Sequence, residues 1–357
     1  MKKNLVFLIV FMIACLQVIT QKKAAAQMNF FPANHPCIQY TGRIDFTNPM
    51  LPRFWQPGIY IETKFTGTDC YIIVKDEELG GMKHNYLETV VDGKPLRLQT
   101  KSKQDTIAVA KGLSGGIHTL LICKNTEANI GYLEFVGIQC EKLIKPAAKP
   151  LYKIEFIGNS ITCGTGSDQS EIACGKGVWQ DQHNAYLSYG PTVARKLNAQ
   201  WSLSAVSGIG LMHSCCNMNV VMPSVFDKID MRGDSLQWDF SNYQPDVVTV
   251  CLGQNDGIQD SILFCTAYVS FVKRLRTYYP SAQIILLTSP MGDAALTAAL
   301  KKYLSSIKKY INKTDKKVDT YFYSKRYHNG CDSHPDLAEH QMIAGELGTF
   351  IKKKMKW

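Results

Sequence analysis

The sequence predicts two domains of different class. Residues 28–140 form an all-β jelly roll or sandwich, and residues 152–357 form an α/β, three-layer domain built on a parallel sheet. Three observations predict this. The first half carries short apolar–polar alternations punctuated by Gly and Asp, with no helical period between them. From residue 152 onward, apolar runs of strand length alternate with longer stretches of helical period, which requires a parallel sheet covered by helices on both faces. Between the halves, residues 141–151 hold Pro146 and Pro150 among lysines and alanines, the composition of a linker.

In chain order, the first residues form a secretory leader. Lys2 and Lys3 precede an apolar stretch from Leu5 to Val18, and Ala24-Ala25-Ala26 supplies small residues for cleavage, so residues 1–26 are expected to be a signal peptide. The stretch is too short for a membrane span. Met12-Ile13-Ala14-Cys15 loosely resembles a lipid-attachment box, but Leu16, Val18 and Ile19 are a poor start for a tethered chain. The expected location is therefore periplasmic or secreted, without an anchor at Cys15.

Gly58–Phe65, Cys70–Val74, Tyr86–Val91, Ile117–Ile122 and Tyr132–Ile138 are predicted strands, with Asp92-Gly93 as a hairpin turn. Beyond the linker, strands are expected at 154–157, 201–206, 246–252, 284–287 and 318–323. Helices are expected at 184–197, 261–278, 294–310 and 337–354.

The net charge is +10, and removal of Lys2, Lys3, Lys22 and Lys23 with the leader leaves +6. The other lysines gather in 301–316 and 352–356, on helical periods, and are expected to be solvated helix faces. No nucleic-acid-binding signature accompanies them. Of 12 cysteines, 11 remain without Cys15, an odd number that cannot pair completely. No C-x-x-C pair argues for a zinc ribbon or a redox site, and no metal or organic cofactor is expected. Cys70, Cys123 and Cys251 fall in strand-like runs and act as small apolar residues. Cys163 and Cys174, which flank one polar turn, are a candidate bridge.

The chemistry lies in four punctuations that each follow a predicted strand: Gly158-Asn159-Ser160-Ile161-Thr162, Gly208, Gly253-Gln254-Asn255-Asp256 and Asp332-Ser333-His334-Pro335. In an open parallel sheet, reactive residues collect at the carboxyl ends of the strands. Each block alone is ordinary turn or helix-cap chemistry. Together they supply a serine nucleophile (Ser160), a base (His334), and donors for a tetrahedral oxyanion: the N–H groups of Ser160 and Gly208 and the Asn255 amide. His183 and His213 lie in loops without a comparable pattern, and His340 falls inside the last helix, where packing is expected.

These blocks, in this order, resemble those of the SGNH (GDSL-like) hydrolases, whose α/β domain is flavodoxin-like. The resemblance implies Ser160 as nucleophile, Gly208 and Asn255 with the Ser160 amide as oxyanion donors, and His334 as base. The family's usual histidine-orienting aspartate stands three residues before the histidine. Here that position is Cys331, and Asp332 is only two before. The catalytic set is thus Ser160, His334 and Asp332, or a pair in which a backbone carbonyl takes the place of the Asp332 carboxylate. That spacing and the Cys163-Gly164 continuation are similar to the second carbohydrate-esterase family, which also carries an N-terminal jelly roll.

The resemblance implies an exported serine esterase that removes O-acetyl groups from xylan- or glucomannan-type polysaccharide or oligosaccharide through an acyl-serine intermediate. Two alternatives stand beside it: a lipase- or thioesterase-type acyl hydrolase, and a non-catalytic carbohydrate-binding protein. The expected partner is the acetylated carbohydrate, with neither nucleic acid nor a membrane span involved.

Overall fold

The computed structural model describes residues 27–79, 84–233 and 236–357; the expected signal peptide, with Cys15, lies outside them. Eleven strands make up the first half: β1 (Asn29–Pro32), β2 (Gln39–Thr41), β3 (Arg53–Phe54), β4 (Tyr60–Thr66), β5 (Cys70–Asp76), β6 (Tyr86–Val91), β7 (Lys94–Gln99), β8 (Gln104–Ala110), β9 (Ile117–Lys124), β10 (Leu133–Cys140) and β11 (Lys142–Ile144). They form two antiparallel sheets, one in the order β1-β10-β5-β8 with β3 beside β10, the other β11-β4-β9-β6-β7 with β2 beside β4. Alternation in β4 sends Ile61, Thr63 and Phe65 inward, and Ile61 and Phe65 meet Ile72, Val74, Phe135 and Ile138 of the facing sheet. These inward faces make the core of a jelly-roll sandwich. Phe135→Ala would open it at a cost of about 3–5 kcal/mol.

Part of the expected linker is sheet. Lys142–Ile144 pairs with β4 and buries Leu143, which lies opposite inward-facing Phe65 in the pairing and joins the same core. The edge strands β7 and β8, one in each sheet, which carry too many polar residues to alternate clearly, are strands that the pattern did not announce.

The second half adds β12 (Tyr152–Gly158), β13 (Ala199–Ala205), β14 (Val247–Val250), β15 (Gln283–Leu287) and β16 (Val318–Tyr321). Its helices are α1 (Ser160–Cys163), α2 (Tyr189–Lys196), α3 (Met222–Val225), α4 (Ser261–Tyr278), α5 (Ala294–Ile311) and α6 (Leu337–Met355). The strands pair in parallel in the order β13-β12-β14-β15-β16, the flavodoxin-like arrangement. Period-two alternation divides β15 between two cores: Ile284 and Leu286 face α4 and α5, and Ile285 and Leu287 face α2 and α6. This is the three-layer fold. Among the described residues no helix is long and apolar enough to cross a membrane.

Three of the helices start where aspartate side chains cap free N–H groups. Asp260 accepts from Ile262 and Leu263, Asp293 from Leu296, and Asp336 from Glu339 in a reciprocal capping box. The helix expected from 184 begins only at Tyr189. The N–H groups of Ala185 and Tyr186 donate instead to the backbone and side-chain oxygens of Asn125, which ties the segment ahead of the helix to the jelly roll.

The two domains share a buried polar seam. Arg43 of the jelly roll donates to Glu155 of β12 at 3.0 Å, with both side chains about 1% exposed. Trp201 of β13 donates to the Gly58 carbonyl at 2.8 Å and stacks on Tyr60. Arg97 of β7 donates to the carbonyls of Asp181 and His183.

Candidate active site

The switch point of the parallel sheet lies between β12 and β14, with β13 on the other side of β12. Ser160 follows β12, Gly208 follows β13 and Asn255 follows β14, so three adjacent strands deliver three of the expected residues to one end of the sheet. At the β12–α1 turn, a Cβ on Gly158 would lie 2.0 Å from Thr162 Oγ1, so only glycine lets the chain reverse this tightly. The Asn159 side chain caps α1 by accepting the Ile161 N–H at 3.2 Å. That leaves the Ser160 N–H without an acceptor among the described residues.

His334 arrives from much farther away, beyond edge strand β16. Its Nε2 lies 2.8 Å from Ser160 Oγ. Its Nδ1 lies 3.1 Å from the backbone carbonyl of Cys331, which also accepts the His334 N–H at 3.0 Å. The carbonyl therefore holds the proton on Nδ1 and leaves the Nε2 lone pair toward the serine hydroxyl. Burial holds the imidazole below the ordinary histidine range, opposed by the Cys331 carbonyl and then by the Asp332 charge. At neutral pH the ring is in its basic form.

Of the two supports expected for His334, the one present at Nδ1 is the carbonyl. Among the described residues the Asp332 carboxylate has no hydrogen bond to the ring, and its charge acts on it through space. The reason is local. Asp332 (φ 51°) and Ser333 (φ 58°) both adopt left-handed backbone, which folds the Cys331 carbonyl back under the ring and leaves the Asp332 side chain in solvent.

A disulfide joins Cys331 to Cys174, 157 residues away, and the Cys331 N–H donates to the Gly166 carbonyl at 2.8 Å. The base loop is thereby fastened to the loop that follows the serine. The candidate Cys163–Cys174 bridge is not formed. Cys163 lies in α1 as a buried thiol facing the domain seam, out of reach of the exposed loop that carries Cys174. Cys70, Cys123 and Cys251 are buried free thiols, as their strand positions imply.

Gly208 (φ 84°) sits where a Cβ would come within 2.9 Å of both Cys215 Sγ and Met218 Sδ. The Cys215 N–H holds its carbonyl at 2.8 Å, and Cys215 is itself bonded to Cys216. The Gly208 N–H, like that of Ser160, has no acceptor among the described residues. Asn255 Nδ2 donates one hydrogen to the Ile209 carbonyl at 2.8 Å, which fixes the amide plane and leaves the other hydrogen free. Asp256, next in sequence, is buried and accepts the N–H groups of Leu211, Met212 and His213 at 2.9, 2.6 and 3.0 Å. It anchors the loop after Gly208, a role that its place in a turn motif does not announce.

The remaining histidines stand apart from this chemistry. His340 is buried and accepts the Tyr189 N–H at Nδ1, and burial followed by nearby His334 pushes its pKa down to about 3. His183 is buried beneath the half-exposed Trp179 and is likewise pushed down to about 3, mainly by burial. His213 is exposed. Tyr327 is buried against Glu346 and Trp238 is packed in a small core, so neither presents a ring to solvent.

Comparison with known proteins agrees with this layout. Residues 40–150 match the family described as Carbohydrate esterase 2 N-terminal, and residues 156–324 match the GDSL-like Lipase/Acylhydrolase family. The solved structure of a family two carbohydrate esterase from Clostridium thermocellum, in complex with cellohexaose, superposes with a TM-score of 0.82 at 31% identity, covering 90% of this chain and 99% of that one. The chain belongs to the family two carbohydrate esterases. Membership places it among the carboxylic ester hydrolases. The cellulase/esterase CelE of Acetivibrio thermocellus is 34% identical over 342 residues, and the match spans 91% of this chain but only 40% of CelE. An acetylxylan esterase / glucomannan deacetylase of Cellvibrio japonicus is 25% identical over 91% of both chains.

Proposed function

We propose that this esterase is exported and removes O-acetyl groups from xylan- or glucomannan-type polysaccharide or oligosaccharide through an acetyl-serine intermediate. One observation carries the mechanism: the 2.8 Å contact between His334 Nε2 and Ser160 Oγ, with Nδ1 held by a carbonyl. His334 takes the hydroxyl proton as Ser160 Oγ attacks the acetyl carbonyl. The negative charge that develops on the carbonyl oxygen is met by the N–H groups of Ser160 and Gly208 and by the free hydrogen of Asn255. Collapse of the tetrahedral intermediate breaks the bond to the sugar oxygen, which receives the proton from His334. Water, activated by the same ring, then releases acetate.

Carbohydrate as substrate is supported by the naming of the Cellvibrio relative and by the cellohexaose bound to the clostridial structure. Trp179, 45% exposed on the segment that follows Cys174, offers an aromatic face that a sugar ring could stack on. Export rests on the leader-like residues 1–26.

The test is release of acetate from acetylated xylan and glucomannan by wild type and Ser160→Ala. Release by wild type, with a loss on the order of three or more decades in a folded Ser160→Ala, is expected. Equal release by both proteins refutes the mechanism. Hydrolysis confined to long-chain acyl esters would move the substrate class to lipids.

A further inference from the structure

The jelly roll reaches into the catalytic domain through one buried turn. Between β9 and β10 its chain turns at Lys124, Asn125, Thr126 and Glu127, all of them essentially buried. The Lys124 ammonium caps this turn from within, donating to the carbonyls of Thr126 at 2.6 Å and Glu127 at 3.2 Å. The turn carries the Glu127 side chain across the domain seam to the floor of the catalytic domain. There Glu127 Oε2 accepts the backbone N–H of Ser207 at 2.6 Å and faces the Cys163 thiol of α1 at 3.7 Å.

Ser207 immediately precedes Gly208. Its hydroxyl pairs with Thr165 Oγ1 at 2.7 Å, and the Thr165 N–H donates to the Ser160 carbonyl at 3.0 Å. A buried carboxyl oxygen bonded to a backbone N–H is a short-range restraint on the chain. Burial pushes the Glu127 carboxyl up, and the Ser207 hydrogen bonds, followed by the Lys124 charge, oppose that rise.

Resting on the esterase reading of Ser160 and His334, we propose that Glu127 is a positioning residue for the oxyanion hole. By accepting the Ser207 N–H it fixes the Val206–Ser207 peptide plane; with the Ser207 hydroxyl held by Thr165, the two Ser207 backbone dihedrals then carry that orientation to the next peptide and aim the Gly208 N–H at the developing oxyanion. The β-domain thereby completes the catalytic apparatus of its neighbour. A misaimed donor weakens binding of the tetrahedral state while leaving ground-state binding of the ester nearly intact.

The experiment compares Glu127→Ala, Glu127→Asp and Glu127→Gln with wild type and Ser160→Ala on one chromogenic acetyl ester, with folding checked by circular dichroism and melting. Asp keeps the charge beside Lys124 but is one methylene too short to reach Ser207. Gln loses the charge but keeps an oxygen at the right distance. Glu127→Ala and Glu127→Asp are expected to lose roughly ten- to a hundred-fold in kcat, with KM within about two-fold. Glu127→Gln is expected to stay within about five-fold of wild type.

A residue that serves only as a buried charge gives the opposite order, with Asp better than Gln, and one that serves only as interface packing lowers the melting temperature of Glu127→Ala and Glu127→Asp without lowering kcat. That order, or wild-type kcat in the folded Asp variant, overturns the proposal. If Glu127→Ala does not fold, the order of Asp and Gln decides alone. Turnover that is equal in wild type and Ser160→Ala refutes the esterase reading itself and the proposal with it. Turnover that depends on Ser160 but not on Glu127 refutes only the positioning role.

Discussion

Asp332→Asn separates two ways of supporting a catalytic histidine. Where a carboxylate holds the ring, changing it to the amide costs about four decades in turnover. Here the Nδ1 partner is the Cys331 carbonyl at 3.1 Å, and the exposed Asp332 carboxylate reaches the imidazolium only through solvent-screened space. An exposed charge pair contributes about 0.2–1 kcal/mol, so the loss on Asp332→Asn should be about 1.5- to five-fold. The substitution is also gentle to the backbone. Asp332 has φ 51°, and asparagine tolerates the left-handed region about as well as aspartate, so the carbonyl should stay under the ring.

The assay is kcat/KM against pH on an acetyl ester, with His334→Ala as the inactive reference. Because burial holds His334 below the ordinary histidine value, the acid limb of the wild-type profile should fall below about pH 6.5. Asp332 raises that pKa, so its removal should move the limb to lower pH. A loss approaching four decades in folded Asp332→Asn, or a limb displaced to higher pH, would refute the carbonyl-supported arrangement.

Three further outcomes follow from the same geometry. Asn255→Ala should lower kcat roughly a hundred- to a thousand-fold with a smaller change in KM, because its free hydrogen acts on developing charge; a change confined to KM would make it a substrate-binding residue. Cys174→Ser releases a cross-link spanning 157 residues, worth about 5 kcal/mol in the chain-entropy treatment, and should lower the melting temperature together with kcat because the Cys331 carbonyl loses its tether; melting and kcat that both match wild type would argue against the bond. His183 and His340 are buried neutral with pKa about 3, so the unfolded chain binds more protons than the folded one below about pH 6.5. Stability should therefore fall with pH from there toward pH 3, by up to ~1.4 kcal/mol per pH unit for each ring, and urea midpoints that stay flat between about pH 6.5 and 4.5 would contradict this.

Much of the architecture is local and was therefore legible. Strand and helix periods differ, and Asp260, Asp293 and Asp336 mark helix starts by a contact of only two or three residues, so α4, α5 and α6 begin where the sequence predicts. The strand-end positions of Ser160, Gly208 and Asn255 follow from the same periodicity, because a parallel sheet brings the ends of its strands together whatever lies between them. The late start of α2 was not legible, since the segment ahead of it is tied to Asn125, which belongs to the other domain. Nor was the strand in the linker, whose partner β4 lies far upstream.

Sequence alone determined the two fold classes and the residue types available for acyl transfer, because periodicity and turn chemistry act between near neighbours. Only the tertiary structure decided how those residues are supported. The carbonyl under His334, the Cys174–Cys331 tether and the Glu127 carboxylate beneath Ser207 join positions 3, 157 and 80 residues apart. Even the shortest of these needed a left-handed turn at Asp332 that its side chain permits but does not dictate. Hydrogen bonds and disulfides depend on distance and angle in space, and chain order constrains those only where the backbone path is already known.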